Sequence, residues 1–253
     1  MEVYNINVTV PTNNRIEAVR TFMRDTIAQY LSRYNNVSYL SDYDDGSRLK
    51  ILFDVGFSNV AFGFIHSRTE LYFIPILSKK TDVDNFDTLY SRASNPENQI
   101  SMTSGGYTFN CILRVIARDN NLIAMNIGKA GSASEWWFVM DEDNRGRKYL
   151  MVDQYKQVYY DGDDSCTKYQ IYNANSAVPN PMEGVVLESL LYIYSTSTGV
   201  VGLSTNLKSM LNVNLPTTKG SIIDVAGVKY VAMDMANATA HQNVWVYDKE
   251  YGM

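Results

Sequence analysis

The chain has 253 residues, enough to bury a sizeable core as one large domain or two smaller ones. Charged residues make up 19% of it, below the roughly 25% usual for soluble domains. The formal net charge is −5, and Lys and Arg are scattered without a basic stripe, so a phosphate-backbone partner, which needs clustered cations, is not expected.

Tyr4, Ile6, Val8 and Val10 alternate with Asn5, Asn7 and Thr9, the period-2 pattern of a half-buried strand, and Pro11 ends it. The opening MEVYNINVTVP lacks the basic and continuous apolar regions of a secretory signal. No run approaches the roughly 20 apolar residues of a membrane helix. The expectation is residence in a cytoplasm, or an exit that bypasses the secretory route. Asn14 followed by Glu17 has capping-box spacing. Ile16, Val19, Met23, Ile27, Tyr30 and Tyr34 then recur at steps of three and four. The spacing predicts one long amphipathic helix over residues 12–34, with Met23 and Ile27 toward a core.

Residues 49–53, 60–65 and 71–77 read as three strands with short polar links, an antiparallel meander, and Pro75 marks an edge or a bulge in the third. Residues 84–90 suit a short helix. The polar stretch SRASNPENQISMTSGG, residues 91–106, reads as a linker or exposed loop. It divides an α+β part, 1–95, from a mainly β part, 107–253.

Residues 107–117 and 122–127 flank Asp119-Asn120-Asn121, a hairpin signal. SEWWFVMDEDNRGRKYLMVD, residues 134–153, sets two apolar runs around an acidic tip. Short strands follow at 157–160 and 168–172; residues 185–194 fit helix or strand. Ser204 or Thr205 suits the cap of a short helix through Leu207, Met210 and Leu211. Hairpins close the chain: 222–225 and 228–233 around Ala226-Gly227, then 244–247. The expected class is α+β, predominantly antiparallel β in sandwich or barrel-like sheets, with the long N-terminal helix packed on a sheet.

The acidic tip invites a test for calcium. A calcium loop needs oxygen ligands at positions 1, 3 and 5, Gly at 6 and Glu at 12. Counting from Asp141, Asp143 and Gly146 fit, but position 5 is Arg145 and position 12 is Val152. Asn and Gly between two strand-like runs make a hairpin turn instead. The stretches DYDDGS (42–47) and DGDDS (161–165) read as solvated turns of the same kind, with a cation shared between turns left open.

The only histidines are His66 and His241. There is no G-x-S-x-G elbow, and Cys111 sits inside a strand pattern. Cys111 and Cys166, 55 positions apart, make neither a disulfide framework nor a zinc signature. GKAGSAS, residues 128–134, lacks the Walker order. A carboxylate pair for glycoside hydrolysis leaves no sequence signature. The expectation is no enzyme, no cofactor and no metal.

The aromatics point elsewhere. The runs holding Trp136, Trp137, Phe138 and Tyr149 are apolar on both alternating faces, as are Trp245 and Tyr247 in theirs. Such strands need cover on both sides, from another layer of the fold or from another subunit. With 19 Tyr and 11 Met in the chain, these six residues are the candidate interface, although Tyr also simply favours strands.

The stretch GSIIDVAGVKYVAMD, residues 220–234, resembles the closing β-hairpins of structural proteins in tailed-bacteriophage virions, through Gly220, Ile222, Ile223, Gly227, Lys229 and Tyr230. The resemblance implies a component of the tail, baseplate or head–tail connector, located in the virion and assembled in the host cytoplasm. Such a component would partner itself, as a homo-oligomer or ring, and other virion proteins. The rival expectation is a β-sandwich module that binds carbohydrate or a host surface, with Trp136, Trp137 or Trp245 in an exposed groove. A glycoside hydrolase stands third.

Overall fold

The computed structural model of the chain describes residues 2–10, 13–67, 72–91, 100–101, 107–129, 135–152, 157–163, 169–173, 187–195, 197–211, 222–225, 228–234 and 244–248. They form two antiparallel sheets. The smaller is a meander of β2 (Ser38–Asp44), β3 (Arg48–Asp54), β4 (Val60–Ser67) and β5 (Tyr72–Lys79), with two-residue strands β6 (Tyr90–Ser91) and β7 (Ile100–Ser101) on β5. Pro75 stands opposite Phe64 of β4. On the other side of β5, β6 pairs at Ile76 and Leu77 and β7 at Tyr72 and Phe73, so the proline falls between two partners. A residue without an amide proton fits that gap.

The larger sheet comprises β1 (Glu2–Val10), β8 (Tyr107–Arg118), β9 (Asn121–Lys129), β10 (Glu135–Glu142), β11 (Lys148–Val152), β12 (Gln157–Tyr160), β13 (Tyr169–Asn173), β14 (Leu187–Ser195), β15 (Gly199–Leu211), β16 (Ile222–Val225), β17 (Val228–Asp234) and β18 (Val244–Asp248). Its order is β1-β8-β9-β10-β11-β12-β13-β14-β15-β18-β17-β16. The β8–β9 link is tight because Asp119 (φ 50°) and Asn120 (φ 58°) both take the left-handed conformation that a two-residue hairpin turn requires.

The core lies between the sheets. Phe62 of β4 meets Phe53 at 5.2 Å and Phe138 of β10 at 4.6 Å between ring centroids. Around them pack Ile6, Leu113, Met125, Leu150 and Tyr159 from the larger sheet. β1 pairs along its whole length with β8, from Glu2 opposite Val115 to Val10 opposite Tyr107. The parts expected at 1–95 and 107–253 thus share a sheet and a core. Of the expected linker 91–106, residues 92–99 and 102–106 lie outside the described residues.

The expected fold class needs correction. The protein is mostly antiparallel β, and no long N-terminal α-helix exists. Residues 15–31 break into α1 (Arg15–Thr21), a π-helical segment (Phe22–Ile27) and α2 (Ala28–Leu31). In the π segment the Ala28 amide reaches the Met23 carbonyl, five residues back. That wider turn lets Phe22 join Met23, Ile27 and Leu31 in the core, all at most 4% exposed. A regular 3.6-residue repeat cannot put Phe22 and Ile27 on one face, and burying one Phe is worth roughly 1.5–3 kcal/mol. Tertiary packing therefore overrides the sequence period. The side chains of Ile16 and Val19 lie outside the described residues.

Two shorter helices are also absent. The helix expected at 84–90 is a loop, because its neighbourhood supplies carbonyls to a buried ammonium. Lys50 Nζ donates to Ser78 Oγ (2.7 Å) and to the carbonyls of Asp82 (2.7 Å), Asn85 (3.1 Å) and Asp87 (2.9 Å). The helix expected after Ser204 is the middle of β15; the Ser204 hydroxyl serves a buried cluster rather than a cap. The ambiguous stretch 185–194 is strand β14 over residues 187–195.

Candidate functional site

The acidic tip DEDNRG closes the hairpin of β10 and β11, as its Asn and Gly suggest: Asp141 and Glu142 end β10, and the turn follows from Asp143, with Gly146 at a φ of 75°. Two of its acids, Asp141 and Asp143, are buried, and Glu142 is exposed. β10 through β15 are neighbours in sequence order, and the far end of β10 returns to β15 through an antiparallel bridge between Asp143 and Ser204. The Asn144 amide donates to the Leu203 carbonyl at 2.8 Å, the Leu203 amide to Asn144 Oδ1 at 2.9 Å, and the Thr205 hydroxyl to the Glu142 carbonyl at 2.5 Å. Six strands thereby roll toward a closed ring.

Two carboxylates lock that closure. Asp141 Oδ2 accepts from the hydroxyls of Tyr149 and Ser204, each at 3.0 Å, and those hydroxyls lie 2.8 Å apart. Burial, followed by the Asp141 charge, pushes the Tyr149 phenol well above its usual range. Asp143 takes the guanidinium of Arg147 at 2.6 Å, the backbone amides of Arg145 and Arg147, and the Tyr160 hydroxyl at 3.0 Å. Arg147 also donates to the Val201 carbonyl at 2.7 Å and stacks over the Tyr160 ring. Gly202 is needed opposite this cluster: a β-carbon there would stand 2.5 Å from Asp143 Oδ2 and 3.0 Å from the Tyr160 oxygen. Asp141 and Ser204 are 63 positions apart, and nothing in the sequence signals that separation.

Burial pushes the Asp143 carboxyl upward, but the Arg147 and Arg145 amides, the Arg147 guanidinium and the Tyr160 hydroxyl outweigh it and hold the group below the usual carboxylate range. A depressed folded value means its stabilisation is complete above the unfolded carboxylate value near ~4. It is lost as the pH falls through the lower folded value. Asp143→Asn should therefore melt earlier than the parent at pH 7 and show a flatter loss of stability between pH 5 and 2. Thermal melts across that range check it; parallel curves for the two proteins would contradict it.

Of the six candidate interface residues, Phe138 (1% exposed) and Tyr149 (0%) are covered by the chain itself. Phe138 faces the smaller sheet, and Tyr149 faces β15 on the opposite side. Both covers of these strands therefore come from the same molecule. Trp136 and Trp137 stand on β10 opposite Ile127 and Asn126 of β9. Trp245 stands on β18 opposite Ala232 of β17 and Lys208 of β15, and Tyr247 opposite Tyr230. The side chains of these four lie outside the described residues.

Beside the closure lies a cleft of about 380 Å³, between the β3–β4 loop and the β8–β9 and β10–β11 hairpins. Val55, Phe57 and Met140 line its floor, with Arg118, Glu142 and Lys148 among its charged lining. Asn36 braces one wall: its amide donates to the Leu122 carbonyl at 2.9 Å and accepts from the Leu122 amide at 2.8 Å. Phe57 is the single aromatic in the lining and is 4% exposed, so it offers no flat platform for a sugar ring. Among the described residues no three of His, Cys, Asp and Glu gather as a metal site would need. Cys111 is buried in β8, and burial pushes its thiol up to about 12.

The sheet edges differ from one another. β2, which ends the smaller sheet, carries a register shift between Tyr39 and Ser41. Its Asp42 and Asp44 are held by the Arg20 guanidinium at 3.5 and 3.2 Å. β16, at one end of the larger sheet, has four residues. β1, at the other end, has nine, pairs with β8 in unbroken register, and contains no Pro, Lys or Arg. Its Val3 is 47% exposed. Bulges, charges and shortness are the usual protections of an open edge, and of these β1 has only the single charge of Glu2 at its start.

No protein-family model matches the chain, and no curated protein matches it.

Proposed function

We propose that this chain is a structural component of a tailed-phage virion, in the tail, baseplate or head–tail connector, and that it acts by non-covalent assembly without catalytic turnover. The observation that carries this reading is β1, a nine-residue strand that ends a twelve-stranded sheet with no proline or bulge and with no charge beyond Glu2 at its start. A soluble protein that works alone gains nothing from such an edge, whereas a strand from another chain docks there through main-chain hydrogen bonds. The hairpin of β16 and β17, which aligns Ile223 with Tyr230 and Asp224 with Lys229, is the part that resembles phage structural proteins. Self-association then supplies symmetric rings or plugs. Light scattering over a wide concentration range, with electron microscopy of the same material, tests the reading. Oligomers or rings are the expected result; a monomer at every concentration, which also fails to join any phage particle, would overturn it.

A further inference from the structure

Resting on the assembly reading, we propose that two copies of this chain join β1 to β1, antiparallel, about a two-fold axis at Ile6. The segment Tyr4-Asn5-Ile6-Asn7-Val8 is nearly a palindrome. With Ile6 opposite its own copy, Asn5 stands opposite Asn7 twice and Tyr4 opposite Val8 twice. This is the one register that overlaps all nine residues of Glu2–Val10. It keeps the faces of the two sheets aligned, because a shift by one residue would turn every side chain to the wrong side. Ile6 faces the core at 8% exposure, whereas Asn5 and Asn7 are exposed on the outer face. Each Asn amide both donates and accepts, so the two Asn5–Asn7 pairs are self-complementary. The only charge on the strand, Glu2, falls at opposite ends of the pairing, next to Val10 of the other copy, so no like charges meet. The other three sheet ends, among the described residues, offer no equivalent: β2 is bulged and charged, β16 is four residues long, and β6 and β7 beside β5 have two residues each.

Sedimentation velocity of the full chain over a concentration series tests this. The parent is expected to dimerise. Asn5→Lys combined with Asn7→Lys places lysine opposite lysine twice, on an exposed face that the folded monomer tolerates. It is expected to raise the dimer dissociation constant about tenfold or more. Asn5→Lys combined with Asn7→Glu places each lysine opposite a glutamate in this register and is expected to restore dimers to near the parent level. Oligomers that ignore both double variants would overturn the edge inference while leaving assembly through another surface standing. Loss of dimers in both variants would overturn the register. A monomeric parent at every concentration would overturn this inference together with the reading it rests on.

Discussion

Lys50→Met is expected to lower the melting temperature by about 10 °C and to strip amide-exchange protection from residues 82–89. Lys50 is fully buried, on the face of β3 that points away from the main core. Leu52, Ala61 and Ile76 form a second apolar cluster with Val83, and Val83 belongs to the loop that Lys50 holds. The ammonium gathers three loop carbonyls and the Ser78 hydroxyl, and Ser78 itself donates to the Asp87 carbonyl at 3.0 Å. Burial pushes the Lys50 ammonium down from the usual lysine range, opposed by Asp82, Asp87 and Asp84. Methionine would relieve that burial of charge but would take the ammonium from the Asp82 and Asn85 carbonyls, while Asp87 keeps only the Ser78 hydroxyl. Each buried acceptor so stranded costs about 1–3 kcal/mol, and more than one is stranded at once. The carbonyl loss wins. Calorimetry and hydrogen exchange on the variant measure both effects. An unchanged melting point with intact protection of the loop would show that the cage is not what holds it.

Gly63→Ala is expected to be as damaging, through space rather than charge. Gly63 stands in β4 opposite Leu52 of β3. A β-carbon at Gly63 would lie inside van der Waals contact of the Ile51 carbonyl oxygen and 2.9 Å from Leu52 Cδ2. The first obstacle is backbone, which cannot swing aside as a side chain can, so two paired strands must separate. Overpacking a core usually costs 1–3 kcal/mol, and a clash with a carbonyl should reach about 3 kcal/mol or more. Denaturant unfolding of Gly63→Ala measures this. Gly46→Ala is the comparison: Gly46 sits in an exposed turn with open space around it, so alanine there meets no clash and costs only the strain of a left-handed backbone (φ 86°), about 1–2 kcal/mol. If the two alanine variants unfolded at the same denaturant concentration, the steric reading of Gly63 would be wrong.

Both residues show where the sequence stops being informative. Lys50 lies between Leu49 and Ile51, and a lysine in an alternating strand ordinarily faces water. Only the return of the 82–89 loop, more than thirty positions later, makes it a buried cation. The same stretch suits a short helix by composition, because local preference carries no record of a distant ammonium that takes its carbonyls. Ser204 repeats the pattern. As a local signal it is a helix cap, but in the fold its hydroxyl is already engaged with Asp141 and Tyr149.

The N-terminal helix fails for a subtler reason. The stripe through Met23 and Ile27 is real, and both residues are buried. The period is wrong because Phe22 is drawn into the same core, and a π turn accommodates it. A pattern match scores the residues that fit a repeat and is blind to the one that packing adds.

By itself the sequence determined what depends on neighbours along the chain. The alternation of β1, the meander of β3 to β5, the left-handed Asp119-Asn120 turn and the DEDNRG hairpin all follow from period-2 patterning and from residues that accept unusual backbone angles. Tertiary structure alone decided which strands end the sheets, which acids are buried, and what covers the second face of Phe138 and Tyr149. Those outcomes depend on the roll of β10 through β15, closed by contacts between residues some sixty positions apart. Hydrogen-bond and packing energies there act between groups that share no local pattern, so no window along the chain contains both partners.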